Sequence, residues 1–299
     1  MIRLIATDLD GTLFYPKRKF RGMCSENIHF LREYLSDGGK LVLVSGRNSV
    51  ILPRVEKVLG YKVSLLGCNG AFLKEDDKMK IAYPMDKELL LDFYSYCHGE
   101  FDLFNMMLFN ETPTTFIAGT ERMNFLITEI ARFINNTNGF YKENLVKGEK
   151  IFLDAIVKYD TYKIMPFVGF GKKSRFLAET IKLAIKTKYS GRLNAVTSGG
   201  AIEITHPEAN KGKTLLNYCR MNGIDTSEVF VCGDSGNDLP MFACFHHSFC
   251  MSHSPSHISS QANHVINRVA DLKEYLLHPE TYEKDILHPI DYDKALKGK

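Results

Sequence analysis

The chain has 299 residues, 44% of them hydrophobic, and 38 Lys and Arg against 35 Asp and Glu leave a formal net charge of +3. That length allows one large or two ordinary domains, and that apolar content supports a buried core rather than disorder. The balanced, scattered charge gives no footprint for nucleic acid, and no apolar run approaches the roughly 20 residues that span a bilayer.

Residues 2–7 form an apolar run that ends in Asp8-Leu9-Asp10-Gly11-Thr12, which reads as a buried strand and a sharp turn. Ser25 is placed to start a helix whose Ile28, Leu31 and Leu35 share one face, and Gly38-Gly39 stops it. Residues 41–44 read as a second buried strand ending at Ser45-Gly46-Arg47. A helix follows with Val55, Val58 and Leu59 as its apolar side, then a third strand over 63–66 ending at Cys68-Asn69-Gly70. This alternation predicts an α/β fold, a Rossmann-like, doubly wound and mostly parallel sheet. It breaks off near Tyr83-Pro84 and resumes after Gly199-Gly200, with a helix over 213–221 and a strand over 229–232 ending at Gly233-Asp234. Shorter elements are expected at 249–251, 265–266 and 269–277.

The middle has another rhythm. Helices are predicted over 89–96, 125–133 and 176–185, strands over 104–109, 115–118 and 164–170, and 135–160 is left unassigned. Elements that cluster without strict alternation imply an inserted α+β domain. The expected division is a core of 1–83 and 196–299 with an inserted domain of 84–195.

The seven cysteines form no C-x-x-C pair, and several lie in apolar runs where a reduced thiol behaves as a small hydrophobe. Ile2 to Ile5 leads directly into Asp8 and Asp10, so no signal peptide is expected and the cytoplasm is the expected compartment. The N-x-T triplets at Asn110 and Asn135 are then chance matches, and Lys294, Lys297 and Lys299 read as a frayed end.

In an open parallel sheet, ligands bind beyond the carboxyl ends of the strands. Asp8, Asp10, Ser45, Asn69 and Asp234 are the polar residues at those ends. A carboxylate can attack phosphorus, and a second one nearby can protonate the departing alkoxide. Magnesium, which prefers oxygen ligands, would offset the negative charge, with Asp234 and Asp238 supplying further carboxylates. Ser45 offers a hydroxyl, the Ser45-Gly46 turn offers backbone N–H groups, and Lys211 offers a cation for a phosphoryl group.

These motifs resemble the haloacid dehalogenase superfamily of phosphatases. Asp8-Leu9-Asp10-Gly11-Thr12-Leu13 resembles its first motif, Ser45 its second, Lys211 its third, and Gly233-Asp234-Ser235-Gly236-Asn237-Asp238 its fourth. The match covers about 1–83 and 196–277, and the position and mixed pattern of the insertion resemble the Cof-type branch with a C2B cap. The resemblance implies Asp8 as nucleophile and metal ligand, and Asp10 as general acid and base with its backbone carbonyl on the metal. It implies Asp234 as a further ligand, Ser45, Gly46, Lys211 and Asn237 at the phosphate, and Thr12, Asn69 and Asp238 in support. Mg2+ is the implied cofactor and a small phosphorylated metabolite the implied partner, with no nucleic acid and no membrane. Two departures stand out: Met251-Ser252-His253-Ser254 replaces a Gly-Asn-Ala step common in the family, and Lys213 competes with Lys211.

Hydrolysis of sugar phosphates or related metabolites is the leading expectation. A phosphomutase or phosphotransferase and, in a different class, a catalytically silent binding protein are the alternatives. His246, His247, His253, His257 and His264 match no standard zinc spacing and read as surface residues. Phe104, Phe109, Phe116 and Phe167 are candidates to stack on a ring substrate, with most of them expected in the core of the insertion, and Gly199-Gly200 reads as a hinge or a plain turn. The physiological substrate, the cap residues that select it and the oligomeric state are not legible.

Overall fold

The computed structural model describes residues 1–16, 22–103, 105–119 and 144–278. The helix expected over 125–133, Phe104, the Asn135 triplet and the basic tail lie outside the described residues.

The first unit opens with β1 (Leu4–Asp8), α1 (Ser25–Ser36), β2 (Lys40–Val44), α2 (Leu52–Leu59) and β3 (Ser64–Gly67). Every residue of β1 and β3 is buried, the pattern of a strand covered on both faces. A hairpin that the sequence reading did not anticipate follows, β4 (Phe72–Glu75) and β5 (Lys78–Ala82). Its turn residues, Asp76 and Asp77, both take left-handed backbone conformations, at φ 50° and 60°.

The second unit comprises α3 (Lys87–Phe101), β6 (Met106–Asn110), β7 (Thr114–Ala118), β8 (Asn144–Lys147), α4 (Glu149–Lys158), β9 (Thr161–Pro166), α5 (Lys172–Lys188), β10 (Asn194–Ser198) and β11 (Ala201–Thr205). The chain then returns to the first unit with α6 (Lys211–Met221), β12 (Val229–Gly233), α7 (Leu239–Cys244), β13 (His247–Met251), α8 (Ser256–Ser259), β14 (His264–Ile266) and α9 (Leu272–Leu277).

Among the described residues the strands form two sheets, one of eight ordered β14-β13-β12-β1-β2-β3-β4-β5 and one of six ordered β10-β11-β9-β6-β7-β8. The first is parallel from β14 to β3, with β4 and β5 antiparallel at one edge. The second is antiparallel apart from the β7–β8 pair. The expected boundary between 195 and 196 falls inside β10, which pairs along its length with β11. The second sheet therefore runs on to Thr205, and Gly199-Gly200 is the turn of that hairpin. A Cβ on Gly200 would lie 1.8 Å from the Gly169 carbonyl oxygen, so this turn is packed tightly.

Alternation orients the second sheet. Met106, Leu108, Ile164, Ile202 and Ile204 pack with the helices on one face. Met107, Phe109 and Met165, one residue out of step, pack toward the first unit. All seven cysteines are free and buried. No helix among the described residues is long and apolar enough to cross a membrane.

Candidate active site

Strands β1, β2 and β12 lie side by side, so the chain reversals after Asp8, Val44 and Gly233 meet at one edge. Gly11 makes the first reversal at φ 92°, where a Cβ would sit 2.4 Å from Asp234 Oδ2. Both the backbone sign and the space demand glycine there. Next to it the Thr12 hydroxyl donates to Asp234 Oδ1 at 3.2 Å.

The third reversal folds back on itself. Asp238 Oδ2 accepts the backbone N–H groups of Asp234 and Ser235 at 3.0 and 3.1 Å. Its Oδ1 accepts Lys211 Nζ at 2.7 Å. Lys211 is the first residue of α6, with Asn210 as N-cap, and its side chain is 1% exposed. The same ammonium donates to Asp8 Oδ1 at 2.7 Å. Lys213 is not drawn in: its backbone N–H donates to Asn210 Oδ1, and its charge lies near Cys244.

Asp8, Asp234 and Asp238 each present an oxygen within 4.8 Å of the others'. Burial pushes the Asp8 carboxyl well above the usual carboxylate range; Lys211 opposes this, and Asp238 and Asp234 add to it. Burial raises Asp234 too, with Asp238 again contributing. Burial works against the Lys211 charge, yet Asp238 and Asp8 together hold it above the usual lysine range. Three carboxylates around one ammonium leave an excess of negative charge on hard oxygen donors, a donor set that fits a small divalent cation. Among the described residues no other group of three or more such side chains gathers. The histidine-rich stretch is dispersed: His247 Nε2 lies against the Ser227 carbonyl, and His264 stacks on Phe249. His253 alone approaches the cluster, 3.9 Å from Asp234 Oδ2 and stacked on Tyr15.

The second reversal forms a loop wall. Ser45 is 2% exposed; its N–H donates to Leu66 O, its carbonyl accepts Asn69 N, and its Oγ accepts Arg47 N. Asn69 sits at φ 58° and joins three segments: its Oδ1 accepts Asn237 Nδ2 at 3.3 Å, its Nδ2 donates to Glu203 Oε2 at 2.7 Å, and it closely faces Gly46. Asp10 is not part of the carboxylate cluster. Its side chain is 53% exposed and accepts Arg47 Nε at 2.9 Å. It nevertheless lines the same cavity as Asp8, of about 420 Å³, together with Gly46, Arg47 and Asn237.

Three residues on or near this cavity were missed from sequence. Arg47 was signalled by its place in Ser45-Gly46-Arg47. Lys163 and Glu203 come from β9 and β11 of the second sheet, and Lys163 is 4% exposed with its Nζ hydrogen-bonded to the Gly46 carbonyl. Their only signal was a charged residue alternating with apolar ones in a strand, which usually marks a solvent face.

A family model described as haloacid dehalogenase-like hydrolase matches residues 5–272. A phosphoglycolate phosphatase of Methanopyrus kandleri is 24% identical over 242 residues, 81% of this chain and 80% of its own length. The pyridoxal phosphate phosphatase YbhA of Escherichia coli is 22% identical over 272 residues, 88% of this chain and 93% of its own. In fold, a crystal structure of a haloacid dehalogenase-like hydrolase from Bacteroides thetaiotaomicron matches with a TM-score of 0.76 at 18% identity, over 92% of this chain and all 100% of that one.

Proposed function

The chain belongs to the haloacid dehalogenase-like hydrolase family and is a phosphatase, and we propose that it hydrolyses small phosphate monoesters through an aspartyl-phosphate on Asp8, with Mg2+ as its metal. The observation that carries this reading is the buried Asp8 carboxylate, held through one oxygen by Lys211, gathered with Asp234 and Asp238 into one cluster and lining a cavity of about 420 Å³.

Lys211 fixes Asp8 Oδ1, so Oδ2 is the oxygen that attacks phosphorus. An Asp8–phosphorus bond forms as the bond from phosphorus to the leaving oxygen breaks. Asp10 gives its proton to that oxygen, and the alcohol departs. A water then attacks the acyl phosphate and passes its proton to Asp10, which regenerates the Asp8 carboxylate and releases inorganic phosphate. Ser45, the Gly46 N–H, Lys211 and Asn237 hold the phosphoryl oxygens. Both oxygens of Asp238 already accept hydrogen bonds, which favours a supporting role for it. Asp8, Asp234 and the Asp10 carbonyl are then the groups to hold the metal. When bound, Mg2+ would neutralise charge on the carboxylates and the transferring phosphoryl group.

The substrates proposed are sugar phosphates or related metabolites. The test is a turnover screen with magnesium, repeated on Asp8→Asn. Turnover should vanish in the variant, and a phosphoryl mass increment should appear on the Asp8 peptide of acid-quenched wild type. Activity above a few per cent in Asp8→Asn, or label on another residue, would overturn the mechanism. EDTA should abolish turnover and magnesium restore it; restoration by zinc alone would point away from the carboxylate site.

A further inference from the structure

The face of the second sheet turned toward Asp8 is mostly apolar, with Met107 and Phe109 on β6 and Met165 on β9. Two charged residues interrupt it, Lys163 and Glu203. They pair with each other, Lys163 Nζ lying 3.5 Å from Glu203 Oε2. The ammonium is occupied in its other directions as well. It donates to the Gly46 carbonyl and lies 4.5 Å from the centroid of the Phe109 ring. Glu203 Oε2 also accepts Asn69 Nδ2. Glu203 lines the cavity that contains Asp8 and an adjoining one, of about 450 Å³, that contains Lys211.

A cation whose contacts are all taken does not offer a landing site for a second anion. The neighbouring carboxylate repels one, and an anion that displaced Glu203 would leave that carboxylate desolvated and unpaired. Arg47 Nε is paired with Asp10 Oδ2 at 2.9 Å. What the face does offer is a carboxylate acceptor beside Met107 and Met165, which suits hydroxyl groups on a C–H framework. We propose that Lys163 and Glu203 are the specificity pair of this enzyme, selecting phosphate esters of uncharged polyhydroxylated alcohols and rejecting esters that carry a second anionic group. This rests on the phosphatase reading above. It also separates the chain from its Methanopyrus kandleri relative, named for a substrate that carries a carboxylate.

The probes are glucose 6-phosphate and erythrose 4-phosphate against 2-phosphoglycolate and fructose 1,6-bisphosphate, compared by kcat/KM in wild type, Glu203→Gln and Lys163→Arg. Wild type should favour the uncharged group by about tenfold or more. Glu203→Gln frees the Lys163 ammonium, and Lys163→Arg adds donors beyond those already used. Each should shift the ratio of 2-phosphoglycolate to glucose 6-phosphate upward by about tenfold, mainly through KM for the acid. Thermal midpoints identify a misfolded variant, and the other variant then decides. A wild type that prefers 2-phosphoglycolate, or ratios that stay within twofold in the folded variants, would overturn the pair's role. A wild type that hydrolyses neither class overturns this inference, and the phosphatase reading is then decided by the wider turnover screen. Failed acyl-phosphate labelling at Asp8 reports the loss of that reading on its own.

Discussion

Lys211 is a fully buried cation that touches two carboxylates, and its removal should be felt twice. Lys211→Ala leaves Asp8 and Asp238 buried without their cation, so stability in EDTA should fall by about 3 kcal/mol or more. Its kcat/KM should fall as well, by the roughly 2–4 kcal/mol typical of a lost transition-state donor. Lys213→Ala should do neither, and chemical unfolding with kinetics on both variants checks the ranking. Asp234→Asn tests the opposite sign. Without metal, Asp8 and Asp234 have folded-state pKa values raised above their unfolded ones. The folded state then holds protons that the unfolded chain releases, so this site's contribution to stability falls as pH rises out of the ordinary carboxylate range. Removing the Asp234 charge should stabilise the metal-free protein at neutral pH by roughly 1 kcal/mol and abolish the stabilisation by magnesium. A variant less stable than wild type in EDTA would refute this account of the cluster. At this scale the strand-end residues were legible because a parallel sheet dictates where its polar ends meet. Lys163 and Glu203 were not, because their partners Gly46 and Asn69 lie more than a hundred positions away.

At the scale of elements, uniformly apolar runs such as β1 and β12 were readable because burial on both faces leaves no competing pattern. The β4–β5 hairpin was not, since its turn is Asp76-Asp77 rather than a glycine-bearing pair, and β5 is largely exposed. The second boundary was misplaced for a related reason. Gly199-Gly200 looks like a break between units, yet it is a tight turn inside one sheet. The first reversal offers a test of how far an element controls the site. Gly11→Ala forces a Cβ into the Asp234 carboxylate at a backbone conformation that disfavours it. Such strain costs about 1–3 kcal/mol. The expected result is a lower thermal midpoint and a magnesium affinity weakened by about tenfold or more, measured by calorimetry. Unchanged affinity would show that the loop can shift without moving Asp234.

At the scale of the molecule, two short segments link the sheets, 83–86 and 206–210. Each carries a proline, Pro84 and Pro207, and the preceding rings, Tyr83 and His206, stack at 5.9 Å. These are the proposed hinge segments, in place of Gly199-Gly200, which is the turn of the β10–β11 hairpin. Among the described residues, polar contacts that span the units across the site include Lys163 to Gly46, Asn69 to Glu203, Asn48 to Thr112 and Ser49 to Glu111. These contacts can break without unfolding either sheet, and we propose that some of them break for substrate entry and product release. Closure then matters most for substrates long enough to touch both units, since small errors in alignment are expensive in rate. Pro84→Gly combined with Pro207→Gly loosens both segments while leaving the Asp8 cluster untouched. The double variant should lose about tenfold or more in kcat/KM for its best metabolite, and clearly less for a small aryl phosphate that the first unit holds alone. Hydrogen exchange should show faster opening at 45–49 and 110–112, with β1 and β12 unaltered. Equal losses on both substrates, or exchange that rises throughout the first sheet, would mean that the linkers support the fold rather than the closure.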